Sequence, residues 1–107
     1  MSQRESRLSK TILQALRQKG IFCWKNHGSE YMMAGLPDII ACVRGRFVAM
    51  EVKLPETRNN VSARQRYVIG EIQRSKGTAE VVCSVKEAID LCMNVSLAQE
   101  IEDARDA

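Results

Sequence analysis

The chain has 107 residues, 45% of them apolar and 27% charged, with a formal net charge of +3, which is the make-up of one soluble globular domain with a modest core and no room for a second. No apolar run approaches ~18 residues, and the opening MSQRESRLSK carries charge where a leader peptide needs an apolar stretch, so the expectation is a cytoplasmic protein without membrane contact. One histidine and four cysteines without CxxC spacing are too few for a zinc cluster; Cys23, Cys42, Cys83 and Cys92 read as reduced, buried small hydrophobes.

Leu8, Ile12, Ala15 and Leu16 recur at helical spacing and Gly20 ends the pattern, predicting an amphipathic helix over 4–19. Carrying its apolar stripe back by three residues lands on Glu5, an acid at the head of the buried face. IFCW at 21–24 predicts a short strand, and the glycines and proline of 25–37 a loop. IIACV at 39–43 is apolar throughout, as in a strand covered on both faces, and Arg44-Gly45-Arg46 reads as a hairpin turn. From 47 to 53 the alternation returns: Val48, Met50 and Val52 point one way, Phe47, Ala49, Glu51 and Lys53 the other, until Pro55 stops the strand. Ser62 opens a second helix that carries Val68, Ile69 and Ile72 and closes at Gly77. AEVVCS at 79–84 is the last strand, expected parallel to the third through a right-handed crossover. Residues 85–94 show helical spacing again. Residues 1–94 therefore read as the folded domain and 95–107 as an acidic tail, either helical or disordered.

Charge is unevenly placed. Residues 1–80 hold 14 Lys and Arg against 7 Asp and Glu, and residues 81–107 hold 2 against 6. Arg44, Arg46, Arg58, Arg64, Arg66, Arg74 and Lys76 are candidates for one face that meets polyphosphate, with a merely solvated surface as the alternative. Aromatic residues are too few for a platform that reads single strands.

The chemistry concentrates in GLPDIIACVRGRFVAMEVK, 35–53. Residues two apart on a strand share a face at ~7 Å, so Glu51 and Lys53 project together. A hairpin turning at 44–46 pairs positions summing to about 90 and sets Asp38 opposite Val52, at the same end of the sheet. Two carboxylates that close repel unless a cation intervenes, and hard oxygen ligands without histidine or cysteine suit Mg²⁺, or Mn²⁺ in its place. Such an ion beside a lysine fits phosphodiester hydrolysis. The duller readings are that Asp38 satisfies loop amides, that Glu51 and Lys53 form a solvated pair, that Gln65 closes a capping box with Ser62, and that Glu5 complements a helix dipole.

Gly-Leu-Pro-Asp at 35–38, Glu-x-Lys at 51–53 and the helix opening with Gln65 resemble the PD-(D/E)XK nuclease superfamily, and GLPD, MEVKLPETRNNVSARQ and SKGTAEVVCSVKEAID are similar to its VRR-NUC family over roughly residues 5 to 90. The resemblance implies a restriction-endonuclease-like α/β fold, α-β-β-β-α-β, with a mixed four-stranded sheet flanked by helices. It implies a Mg²⁺-dependent endonuclease with no organic cofactor. Asp38 and Glu51 match its metal-binding acids, Lys53 its catalytic lysine, Gln65 the glutamine after that strand and Glu5 a further acid on the first helix; the Val52 carbonyl is a candidate ligand beside them. Lys25 and His27, with Arg44, Arg46, Arg58, Arg64 and Arg66, are candidate DNA contacts. Similarity to stand-alone members and to Holliday junction resolvases implies a homodimer acting on branched DNA, with the Tyr31 to Met33 loop and the Leu91 to Leu97 segment as candidate interfaces. The rival classes are a non-catalytic DNA-binding module of the same fold and a structural domain of a phage or bacterial assembly.

Overall fold

The computed structural model describes residues 2–28 and 30–107. Chain order is α1 (Gln3–Gln18), β1 (Phe22–Lys25), β2 (Ile39–Val43), β3 (Arg46–Val52), a 3₁₀ turn (Pro55–Thr57), α2 (Ala63–Arg74), β4 (Thr78–Val82) and α3 (Val85–Asp106). The strands form one mixed sheet in the order β1-β2-β3-β4. The first three are antiparallel neighbours, and β4 lies parallel to β3.

Period-two alternation divides the sheet into two faces. Val48, Met50 and Val52 of β3 turn toward α1 and α3, joining Ile12, Leu16, Ile39, Ala41, Val43, Val82, Ala88 and Cys92 in the larger core. Ala49 turns the other way, with Ile40 and Ala79, under Ile69 and Ile72 of α2. Helices thus flank both faces, but α2 covers its side thinly: Val68 is its one buried residue, and Phe22, Trp24 and Phe47 stay exposed there.

Local chemistry sets the helix limits. Ser2 and Glu5 form a capping box on α1, Ser62 and Gln65 one on α2, and the Ser84 hydroxyl accepts from the Glu87 amide to start α3. Helix α1 closes with paired bonds from the Gly20 amide to the Arg17 carbonyl and from the Ile21 amide to the Leu16 carbonyl. At the end of α2 the same pair of bonds runs from Lys76 and Gly77, so the left-handed residue is Lys76, at φ 72°, rather than the expected Gly77.

Three other expectations change. The hairpin turns on two residues, Arg44 at φ 50° and Gly45 at φ 81°, the twist-matched geometry of tight hairpins in which a glycine at the second position carries no steric penalty. Val43 therefore faces Arg46 and Ile39 faces Met50; extending the ladder puts Asp38 opposite Glu51, one residue from the expected partner Val52. Lys53 lies just past β3, although its amide continues the pairing by donating to the Val82 carbonyl. Cys42 is exposed, because it lies on the α2 side of β2 beyond the reach of that helix, while the other three cysteines are buried as expected and all four are free. Of the two readings of 95–107, the structure has the helical one: α3 runs unbroken through residue 94 to Asp106.

Candidate active site

Asp38 is fixed by the residues on either side of it. Pro37 is fully buried, the Asn26 side chain donates to the Pro37 carbonyl at 2.7 Å, and the Asn26 amide donates to the Asp38 carbonyl at 2.8 Å, which carries the β1–β2 pairing up to the acid. The Asp38 carboxylate then crosses to β3, where Oδ2 accepts from the Val52 amide at 2.8 Å. The amide-satisfying role is met, and the bond that satisfies Val52 also presents the acid at the end of the sheet.

Glu51, opposite, is 3% exposed. Its Oε1 accepts from Gln65 Nε2 at 3.1 Å and faces Lys53 Nζ at 3.9 Å. Its Oε2 is buried with no hydrogen-bond partner. An uncompensated carboxylate oxygen in that setting is costly. Burial is the largest force on this group, followed by the charge of Asp38 and the hydrogen bond that the two carboxyls can share only when one of them holds a proton; Lys53 opposes the push and Glu5 adds to it, and together they drive the Glu51 carboxyl up to about 8. A proton between Glu51 and Asp38, or a cation, is what such a pair takes up.

Gln65 serves two ends. Its Oε1 accepts from the Ser62 amide at 2.9 Å, closing the capping box, and its Nε2 holds Glu51. Glu5 is arranged likewise: Oε1 accepts from the Ser2 amide at 3.1 Å while the carboxylate looks toward Glu51. The first turns of α1 and α2, from opposite sides of the sheet, thus converge on the two acids with the helix ends that favour negative charge. One cavity of about 220 Å³ gathers Ser2, Glu5, Asp38, Glu51, Val52, Lys53 and Gln65. No protein-family model, curated protein or solved structure matches the chain.

The chemistry of the donor set, hard carboxylate oxygens, is of the kind that suits a hard divalent cation. Among the described residues no three His, Cys, Asp or Glu side chains form a ready cage, yet Glu51, whose Oε2 is partnerless, lines a small polar cavity with a second carboxylate. Mg²⁺ is held in this way, by one or two carboxylates with water completing its shell. Asp38 and Glu51 would hold it, with the Val52 carbonyl and Glu5 at the cavity wall.

The basic residues do not form the single face considered from sequence. Arg44 and Arg46 occupy the opposite end of the hairpin, roughly 20 Å from Asp38 along the strands, and pair with Asp103 (2.8 Å) and Glu102 (3.8 Å) of α3. Arg58 pairs with Glu87 at 2.6 Å, and Arg74 with Glu71 at 2.6 Å. Arg64 donates to the Ala34 carbonyl and stacks over Tyr67 at 5.1 Å, and Arg66 donates to the Val61 carbonyl. Lys25 and His27 line a groove between α1 and β1 together with Ser6, Lys10, Leu13, Arg17 and Trp24. Sequence reasoning passed over Lys10, Arg17 and Trp24. The signal was present in the seven-residue spacing of Lys10 and Arg17, which keeps them on one side of the helix.

Proposed function

We propose that the protein is a Mg²⁺-dependent endodeoxyribonuclease of restriction-endonuclease-like fold, related to the VRR-NUC family. The observation that carries this reading is the buried, partnerless oxygen of Glu51 beside Asp38 and Lys53. A fold stabilised for its own sake would not keep two carboxylates in a cavity against burial and mutual repulsion. The α-β-β-β-α-β order and the Glu-x-Lys at the end of β3 support it further.

A divalent cation bound there would supply charge for the scissile phosphate and acidify the attacking water. Asp38 and Glu51 would hold it, and Gln65 keeps Glu51 from rotating away. The Lys53 ammonium, beside Glu51, is placed to donate to a non-bridging phosphate oxygen as charge gathers there. In the reaction a water oxygen bonds to phosphorus and gives up a proton, the P–O bond to one sugar breaks, and the departing sugar oxygen takes up a proton.

The resemblance extends the proposal to branched DNA and a symmetric homodimer. On α3, Met93, Leu97 and Ile101 are exposed at four-residue spacing, and Tyr31 to Met33 are exposed in their loop, so each offers a patch to a second copy. Supercoiled plasmid, flap and four-way junction substrates, incubated with Mg²⁺, Mn²⁺ or EDTA, test the activity. Cleavage abolished by EDTA and by Asp38→Ala and Lys53→Ala, with DNA binding kept, is the expected result. Binding that no metal converts to cleavage would leave the DNA-binding module, and no affinity at low salt would remove DNA as partner. A monomer in sedimentation at micromolar concentration would remove the dimer.

A further inference from the structure

Alternation along the edge strand β1 divides its side chains between the two faces of the sheet. Phe22 and Trp24 turn to the α2 side, Trp24 level with Ile40, while Cys23 and Lys25 turn to α1, where the Cys23 thiol donates to the Leu13 carbonyl at 3.9 Å. On α1, Ser6, Lys10, Leu13 and Arg17 follow one another at helical steps and form a single stripe. Stripe and strand bound a groove of about 480 Å³ that also takes in His27. Among the described residues Lys10, Arg17 and Lys25 bring positive charge to it, and no carboxylate lines it.

Lys10 is exposed and has no ion pair among the described residues. Arg17 is pinned at its own end of the stripe, since Nη2 donates to the Cys23 carbonyl at 3.1 Å, and its fork keeps further N–H groups to give. Two helical turns, about 10.5 Å of axis, separate the two residues, so the charge is spread along the helix rather than gathered on one point. A chain of phosphates matches that spread better than a single phosphate group does.

The stripe also starts at the acids. Ser6 lines the groove while its neighbour Glu5 lines the acid cavity, and Lys25 faces Ile39, next to Asp38. Along the axis of α1, Lys10 lies about 8 Å and Arg17 about 18 Å beyond Glu5, which at the ~3.4 Å axial rise of one DNA strand is about two and about five nucleotides.

We infer that this groove carries the phosphate backbone of one substrate strand on one side of the scissile bond, with Lys10 nearer the cut and Arg17 farther from it. The inference rests on the nucleic-acid reading above and names the flank of the substrate that the enzyme grips. Contacts to phosphate hold the strand in register without reading its bases.

Flap DNA carrying a fluorescent label, titrated in EDTA where cleavage is silent and followed by anisotropy, tests it. Lys10→Ser should weaken binding severalfold at low salt and make the salt dependence shallower by about 0.7 to 0.9 for the one phosphate no longer neutralised. Lys10→Arg should restore both, and Arg44→Ser, the same loss of charge at the hairpin end, should move neither. Phosphates are then replaced one at a time by neutral methylphosphonates. On one flank, about two nucleotides from the cut, the replacement should weaken wild-type binding severalfold and leave Lys10→Ser binding unchanged; on the other flank both proteins should respond alike. Unlabelled oligo-dT should displace the flap, and inorganic phosphate or poly-glutamate at equal charge should not. An unchanged salt dependence in Lys10→Ser, equal responses of the two proteins at every replaced phosphate, or equal displacement by poly-glutamate would each overturn the inference. The nuclease reading fails separately: cleavage by a wild type whose binding Lys10→Ser does not alter removes only the groove, and a Lys10-dependent salt slope without cleavage under any metal removes only the activity.

Discussion

The carboxyl of Glu51 makes this fold sensitive to pH in a direction opposite to that of most carboxylates. In the unfolded chain it titrates near 4.5; in the metal-free fold, burial and Asp38 drive it up to about 8. Between those values the folded state holds a proton that the unfolded state has released, so stability is full below the lower value and drains away as pH rises through the upper one. The span between the two caps the loss at about 5 kcal/mol, and a third of it would lower the melting midpoint of a domain this size by about 10 °C. Thermal unfolding in EDTA from about pH 5.5 to about pH 8.5 should therefore show a falling midpoint in the wild type. Glu51→Gln, a neutral mimic of the protonated acid whose amide can donate to Asp38, should be nearly flat and more stable than wild type at the alkaline end. Mg²⁺ or Mn²⁺ should raise the wild-type midpoint most at high pH, because the ion competes with the proton, and should do nothing for Glu51→Gln. The Cys23, Cys83 and Cys92 thiols are pushed above their ordinary range by burial, so they do not compete in that window. A flat wild-type profile, or Glu51→Gln falling in parallel with it, would refute the reasoning.

Gln65→Ala removes the capping-box acceptor and the Glu51 donor together and should cost about 1–2 kcal/mol in denaturant unfolding; Gln65→Glu should keep the cap and still lose cleavage, by adding a carboxylate beside Glu51. Replacing Arg44 and Arg46 with serine should change stability by at most about 1 kcal/mol, since their ion pairs are half exposed, and leave flap affinity in a filter-binding assay unchanged; a tenfold loss would put DNA at the hairpin end. Gly35→Ala should destabilise by about 2 kcal/mol or more, as φ is +83° and the new Cβ would lie 2.7 Å from Arg64 Cγ and 2.9 Å from the Arg64 carbonyl oxygen, forcing apart the loop before Asp38 and the first turn of α2. Gly28→Ala, which meets nothing within 4 Å, is the control.

Periodicity and punctuation carried most of the fold into view. The alternation of 47–53 assigns Glu51 and Lys53 to one face, and the parallel β4 follows from a helix lying between the strands. Position within the sheet was harder to read. Whether the hairpin turns on two residues or three moves Asp38 by one partner, and that depends on Arg44 accepting a left-handed conformation that arginine seldom adopts. The pairing of the basic residues was also hidden: net charge by segment is blind to it, and α3 returns its acidic end to Arg44 and Arg46 while Glu87 engages Arg58. The length of α3 was hidden because residues 95–107 are polar and little apolar packing holds the helix there. At the candidate site, Asp38, Glu51, Lys53, Gln65 and Glu5 could be proposed because a motif spacing ties them together. The groove of Lys10, Arg17 and Lys25 could not, since it depends on how α1 lies against an edge strand.

The double duty of Gln65 has a thermodynamic corollary. Because one amide both seals the start of α2 and restrains Glu51, fraying of that turn and loosening of the acid are a single event, and any ligand that favours the ordered acid must by reciprocity suppress the fraying. Slow exchange of the Gln65 and Arg66 backbone amides with solvent deuterium would then serve as a remote gauge of occupancy, legible without cleavage and without a labelled substrate.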